Sequence, residues 1–456
     1  MVKLFPERLG IEKGLDSDLA MRVVDRIKAG NSACKITADY QKGVTKLINL
    51  PDTPRKSIAQ ELWKANKRSM VLRNKQKDHT RTNLRFLHVF LSVEKAREGY
   101  QFAFSAENEC PYSCTYCYLQ ATLKESPIPT IYANFQDDGV LIRGIKIGLL
   151  GMHMYTQVHG VQENIGRDGQ ARVHQIIKIL EKSIPEAKLN QPLSEIFKKY
   201  KSDIHVNLKS SGLELLKPII DHFDKFDFTN ITRTFHFNHG DLNDGMANDH
   251  LTENSSFLVG IFNNEIMKKD GGQLLIRTKS VNIENLKKVE PNDNVVYYTT
   301  VGTNTFSKGV PHFKDRIKAA RELQELGYRI RISLDPIIQY SDTVKQYIPI
   351  LDEVRDVMDI ANPNFERITL GMLRFSDGNI NEVIRDRHPD LFGHSKRSEM
   401  KKHGDEEKLR YDRQFRVDTY QALKDHAQEI MPGVSVKLST EAISVWEDVG
   451  LSWEKT

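Results

Sequence analysis

The stretch "NECPYSCTYCYLQ", residues 108–120, places Cys110, Cys114 and Cys117 within eight residues of a chain that has four cysteines. Structural zinc usually takes four protein ligands, and no fourth cysteine lies nearby. His153 or His159 could complete such a site, but neither stands at a usual finger spacing. A cubane 4Fe-4S cluster has four irons, each normally bound by a thiolate. Three cysteines leave one iron open, and an open metal position is where an outside ligand binds. The spacing therefore points to a cluster that reacts rather than one that only stores an electron. The competing reading is three buried, unliganded cysteines brought together by chance.

Outward from the loop, "FAFS" (Phe102–Ser105) reads as a short strand that ends at the cysteines. Later stretches repeat the pattern. "IHVNL" (Ile204–Leu208), "TRTFHFN" (Thr232–Asn238), "LLIRTKS" (Leu274–Ser280) and "VVYYTTV" (Val295–Val301) read as strands. "SGLELLKPIIDHF" reads as a helix, and Asn282 suits the N-cap of a short helix over "IENLKKV". Phe313, Ile317, Ala320 and Leu323 recur at helical spacing, and Gly327 stops that helix. Ile330, Ile332 and Leu334 then alternate in "YRIRISLDPII", and "ERITLGML" (Glu366–Leu373) is the last expected strand. Strands alternating with helices imply a parallel sheet, doubly wound or barrelled. Active sites on such sheets collect at the C-terminal strand ends, where the cysteine loop falls.

Three regions surround this pattern. Residues 1–95 look basic and mainly helical, with no clear strand series. Gln136–Lys201 fits as an insertion or a long first crossover. The tail, residues 386–456, reads as charged and mostly helical. Hydrophobic content of 39% and charged content of 28% describe a globular chain. No apolar run approaches the ~18 residues that span a bilayer. "MVKLFPERLG" has no apolar signal core. The expected location is the cytoplasm (the host cytoplasm if the protein is viral), with no membrane partner. A reducing compartment also suits clustered thiols that hold metal. Net charge is only +5. Yet Arg55 to Arg85 holds ten bases against Glu61 and Asp78. That excess suits either phosphate contacts or a solvated helix face.

The cysteine spacing is the signature of the radical S-adenosylmethionine superfamily. Tyr116, just before the last cysteine, fills a place that is typically aromatic there. The chain further resembles the spore photoproduct lyase family. The resemblance rests on "CPYSCTYCYLQ", "NDHLTENS" (Asn248–Ser255), "LLIRTKSVNIENL" and "GVPHFKDRIKAARELQELGYRIRISLDPII", and covers roughly residues 100–385. It implies a partial parallel (β/α) barrel over residues 96–385, between the N-terminal extension and the tail. It implies a 4Fe-4S cluster on Cys110, Cys114 and Cys117, with S-adenosylmethionine chelating the open iron. A reductant such as flavodoxin or ferredoxin would supply the electron. Lys279 would contact the cofactor's carboxylate, and Thr300 would stand near the cofactor. Tyr116 and Tyr118 would sit beside the cluster and help return a hydrogen atom. Asp241 and Asp244 follow a strand at the catalytic end, where either could bind the cofactor's amino group or the substrate. Within "LRFSDGNINEVIRDRHPD" (Leu373–Asp390), Arg374 and Phe375 are candidates for a wedge that opens duplex DNA. An ordinary strand end is the alternative. In "HFNHGDLND", His236 and His239 face opposite sides of a strand, which disfavours a shared second metal.

One departure stands out. The family carries a hydrogen-donating cysteine about nine residues before the "DHLT" histidine. Here Asp241 occupies that position. A carboxylic O–H bond is too strong to donate that atom, and the spare thiol, Cys34, lies far off in sequence. A radical rearrangement needs no protein thiol. The expectation is therefore an enzyme that isomerises a modified thymine in DNA, for example glycyl thymidine from N-linked to C-linked. The alternatives are a lyase that repairs the thymine lesion through another donor such as Tyr118, or a non-catalytic metal-containing DNA-binding protein.

Overall fold

The computed structural model describes residues 5–12, 15, 17–40, 69–73, 87–90, 101–104, 106–108, 110–117, 129–160, 166–185, 189–231, 234–240, 243–263, 265–376, 384, 388–392, 400 and 408–452. Tyr118, Asp241 and most of the basic stretch between Arg55 and Arg85 lie outside these residues.

Seven strands run parallel in one sheet, each beside its neighbour in sequence: Gln101–Phe104, Phe235–His239, Gly272–Thr278, Val295–Val301, Arg329–Ile337, Phe365–Met372 and Val436–Leu438. Leu87–Phe90 closes the first edge as an antiparallel strand. This is the expected partial barrel. Val295–Val301 is buried at six of its seven positions, as a strand covered on both faces must be. Its run of valine, tyrosine and threonine is therefore continuous rather than alternating. Gly327, at φ +99°, ends the helix Phe313–Glu325, and its conformation is one that glycine adopts freely.

Four expectations need correction. "IHVNL" is not a strand; it lies inside the helix Leu193–Ser210. Ile204 and Leu208 are both buried and stand four apart on one helix face, while Val206 is 61% exposed. Five alternating residues had mimicked that face. The expected helix over "IENLKKV" is one 3-10 turn, Leu286–Lys288, that starts from Asn285. Asn282 instead donates to the carbonyls of Met246 and Ala247. The N-terminal region holds a helix, Asp18–Gly30, but also strands where none were expected. Lys35–Tyr40, Arg8–Glu12, Ser69–Arg73, Thr130–Tyr132 and Glu107–Asn108 form a second sheet in that order. Finally, the tail is not only helical: Val436–Leu438 pairs with Phe365–Met372 and completes the barrel sheet.

Gln136–Lys201 is the long first crossover. Its helices Asp138–His159 and Gly166–Ser183, with Leu193–Ser210, connect the first barrel strand to the second. Asp137 caps the first of these through Val140 N–H at 3.1 Å. Along it, "GIKIGLLGMHMY" is buried throughout. That burial includes Lys146, which pairs with Asp270, each side chain 2% exposed.

Candidate functional site

The first barrel strand ends at Phe104, and the chain enters the cysteine loop through Glu107. The loop is pinned by the segment that follows the fourth barrel strand. Ser113–Cys114 pairs antiparallel with Ser307–Lys308, beyond the fourth barrel strand. Thr115 N–H donates to the Phe306 carbonyl at 2.9 Å. The Tyr116 hydroxyl lies 2.9 Å from Ser307 Oγ. Cys110 and Cys114 pack with Tyr112, Ala247 and Val310, and Cys117 and Tyr116 lean on that group. None of the four cysteines is in a disulfide.

Lys279 follows the third barrel strand. Its Nζ stands 5.5 Å from the centre of the Tyr116 ring, a cation–π contact. Burial disfavours its charge, but Tyr116, Cys114, Asp244 and Cys117 outweigh burial and lift its pKa above the ordinary lysine value. The ammonium is thus held charged beside the thiols. Arg316 lies behind, 1% exposed. Its guanidinium donates to the carbonyls of Thr300 and Gly302 and to Asn304 Oδ1, which fixes the end of the fourth strand. A cleft at this end is lined by Tyr116, Lys279, Thr300, Ser307, Arg316 and Asp335, among others. The loop carrying Cys110, Cys114 and Tyr116 thus meets Lys279 and Thr300, both more than 160 residues further along the chain, at one barrel mouth.

Asp244 has a different place. Its carboxylate accepts from the Thr278 hydroxyl, from Lys279 N–H at 2.6 Å and from Met246 N–H at 3.1 Å. It is an internal brace for the segment carrying Lys279, not an open ligand for a cofactor amine. Gly240 makes the same turn possible: at φ +120°, a Cβ there would sit 2.3 Å from the Arg277 carbonyl oxygen. The wedge reading is also corrected. Phe375 is 2% exposed, part of the main core, so its ring cannot stack on a base. Arg374 is locked to Asp335 at 3.1 Å through both terminal nitrogens. Burial drives His239 down to about 4, and His236 also well below the usual imidazole range, so both rings are neutral at pH 7. Cys34 is partly buried and packs against the core of the N-terminal sheet.

Sequence reasoning missed Glu107. It is 1% exposed and accepts from Asn248 at 2.7 Å, Asn254 at 3.3 Å and Thr252 at 3.4 Å. These donors belong to the "NDHLTENS" segment, which therefore braces the entrance of the cysteine loop. Asp249 is likewise spent on Ser255 and Asn285. Burial pushes Glu107 up to about 7, with the Asn248 hydrogen bond opposing. The folded chain thus holds a proton that the unfolded chain, titrating near 4.5, releases. This contribution to stability is present below about pH 4.5 and is lost as pH rises towards 7. Glu107→Gln should remove that slope. Between pH 5 and pH 8, the stability difference between variant and wild type should change by ~1–3 kcal/mol in the variant's favour. Urea midpoints at the two pH values measure it; a difference independent of pH would contradict the assignment.

Three thiols beside a held cation suit the donor set of a cubane with one open iron. Among the described residues, no three His, Cys, Asp or Glu converge as ligands of a single ion would. A cubane does not ask for that, since each thiolate takes a different iron. Lys279, facing the cleft, suits a carboxylate such as that of S-adenosylmethionine. Among the described residues, no helix is long and apolar enough to cross a membrane.

Neither a family model nor a curated protein matches the sequence. The solved structures do offer matches. Spore photoproduct lyase complexed with dinucleoside spore photoproduct aligns with a TM-score of 0.57 at 16% identity, over 95% of this chain and 98% of that one. A doubly substituted form of the lyase, with bound S-adenosylmethionine and dinucleoside spore photoproduct, gives 0.58 at 16% identity, over 96% and 99%. A tyrosine-to-phenylalanine variant of the lyase gives 0.58 and 16% over the same shares. The chain has the fold of spore photoproduct lyase.

Proposed function

We propose that this chain is a radical S-adenosylmethionine enzyme that acts on a modified thymine in DNA, and that its reaction is an isomerisation. The concrete version moves a glycyl group on the thymine 5-methyl carbon from N-linked to C-linked attachment. The observation that carries this reading is the meeting of Cys110, Cys114, Cys117, Lys279 and Tyr116 at the mouth of a barrel with this fold. The three cysteines would hold the 4Fe-4S cluster, and Lys279 with Thr300 would line S-adenosylmethionine. Together, when bound and reduced by a flavodoxin or ferredoxin, cluster and cofactor supply a 5′-deoxyadenosyl radical.

The chain's own residues prepare the site. Ala247 and Val310 pack apolar surface against Cys110 and Cys114. Lys279 brings a positive charge to the cleft. Asp244 and Arg316 fix the two strand ends that flank it. In an isomerisation, one hydrogen leaves the substrate and the same hydrogen returns, so no protein thiol is consumed. Asp241, in place of the family's donor cysteine, fits that balance. DNA as partner is supported by the solved lyase bound to a dinucleoside lesion.

A second reading is lesion repair with a tyrosine in place of the thiol. The near full-length likeness to the lyase favours it, as does the Tyr116 hydroxyl beside the cleft. One experiment separates the two. The anaerobically reconstituted protein is given reductant, S-adenosylmethionine and either N-glycyl-thymidine DNA or irradiated DNA, and the products are digested to nucleosides. Unchanged mass with altered retention supports isomerisation. Two restored thymidines per lesion support repair. No conversion of either substrate overturns both.

A further inference from the structure

We propose that Asp335 is the subsite for a cationic nitrogen, accepting a hydrogen bond from the amine of the substituent on the modified thymine. This deepens the substrate reading above and rests on it. Asp335 lies near the C-terminal end of the fifth barrel strand and lines the same cleft as Tyr116, Lys279 and Thr300. Its side chain is 24% exposed, so it meets the cleft without being fully solvated.

The seat is built. Arg374 holds Asp335 Oδ1 and Oδ2 through Nη1 and Nη2, both at 3.1 Å. The same two nitrogens also donate to the Met372 carbonyl at 3.0 Å and to Ser439 Oγ at 3.4 Å. Four donations occupy the four terminal N–H bonds of the guanidinium. Arg374 is therefore a positioning residue that fixes the carboxylate. A carboxylate has about four lone-pair sites, and the fork takes two. The neighbouring strand makes room: a Cβ on Gly371 would lie 2.7 Å from Asp335 Oδ2. Asp244, the other acid beside Lys279, is already committed to Thr278, Lys279 and Met246. Asp335 is thus the carboxylate that can face a ligand in this cleft. Unmodified thymine carries no amine. A site built to bond one discriminates against the base that lacks it, because the acceptor sites that the Arg374 fork leaves on the acid would then lose their donor.

The test compares binding of two oligonucleotides by the reconstituted full chain: one with N-glycyl thymidine, one with thymidine at the same position. Wild type should prefer the glycyl form. In Asp335→Asn that preference should fall about 10- to 100-fold, the worth of a charge-assisted bond. In Gly371→Ala, where the charge is retained but the seat is filled, it should fall in the same direction. Asp335→Glu should recover part of it. An unchanged preference in both Asp335→Asn and Gly371→Ala overturns the assignment. So does an equal loss for both oligonucleotides together with weaker S-adenosylmethionine binding, which would place Asp335 against the cofactor. The parent reading fails separately: wild type that prefers the glycyl oligonucleotide but never isomerises it sinks the reaction and leaves the subsite.

Discussion

Cys110→Ala, Cys114→Ala and Cys117→Ala should each bring reductive cleavage of S-adenosylmethionine down to background, a loss on the order of a thousandfold or more, because two thiolates do not hold a cubane. The three positions are not equivalent in surroundings. Cys110 and Cys114 are buried, and Cys117 is only partly so. Yet a cubane would take each thiolate on a different iron, so the losses should be alike. Iron and sulfide per chain should fall with the activity. Cys34→Ala is the control. It packs, partly buried, against the N-terminal core, away from the cysteine loop, and its loss should leave both readings in place. The measurement is 5′-deoxyadenosine formed anaerobically with dithionite. A variant at any of the three positions that keeps its iron and its cleavage activity would remove that cysteine from the ligand set.

The largest stability effect is expected away from the site. Lys146→Met should cost ~3–5 kcal/mol, since it leaves Asp270 as an uncompensated buried charge. Asp270 also anchors other parts of the crossover. Its Oδ1 accepts from Leu193 N–H at 3.0 Å, and His153 Nε2 lies 3.1 Å from its carbonyl oxygen. Burial lowers the Lys146 pKa and raises that of Asp270, each opposed by its partner. Removing both charges, as Lys146→Met with Asp270→Leu, should recover much of the loss, because two apolar groups replace a desolvated pair. Denaturant midpoints for the two single variants and the double variant close the cycle. A single variant as stable as wild type would mean that the pair is not buried as described.

What could be read from the sequence was local. The cysteine triplet lies within one loop, and its spacing alone raises the expectation of a cluster with an open iron. Val295–Val301 and Arg329–Ile337 have the length and apolar density of covered strands, and both fold as read. The errors arose where a short pattern serves two structures. Ile204 and Leu208 fit a strand face or a helix face equally, and only packing decides. The missed features arise from contacts distant in sequence. Cys114 pairs with Ser307, and the Tyr116 hydroxyl meets the same serine 191 residues on. Glu107 is buried by Asn248 and Asn254, 141 and 147 residues away. Arg374 looked like a cation near a loop because Asp335, its partner, comes 39 residues earlier. Phe375 looked like a wedge for the same reason: in sequence, an aromatic residue beside a polar loop does not say which side it faces.

Function here requires a cluster with one iron left for a ligand. Anaerobic reconstitution followed by counting metal and sulfide, with and without S-adenosylmethionine, tests it most directly. The expected result is about four irons and four sulfides per chain, a reduced-state spectrum that changes when the cofactor is added, and 5′-deoxyadenosine as product. Zinc on the three thiols, or a cluster whose spectrum ignores S-adenosylmethionine, would contradict it.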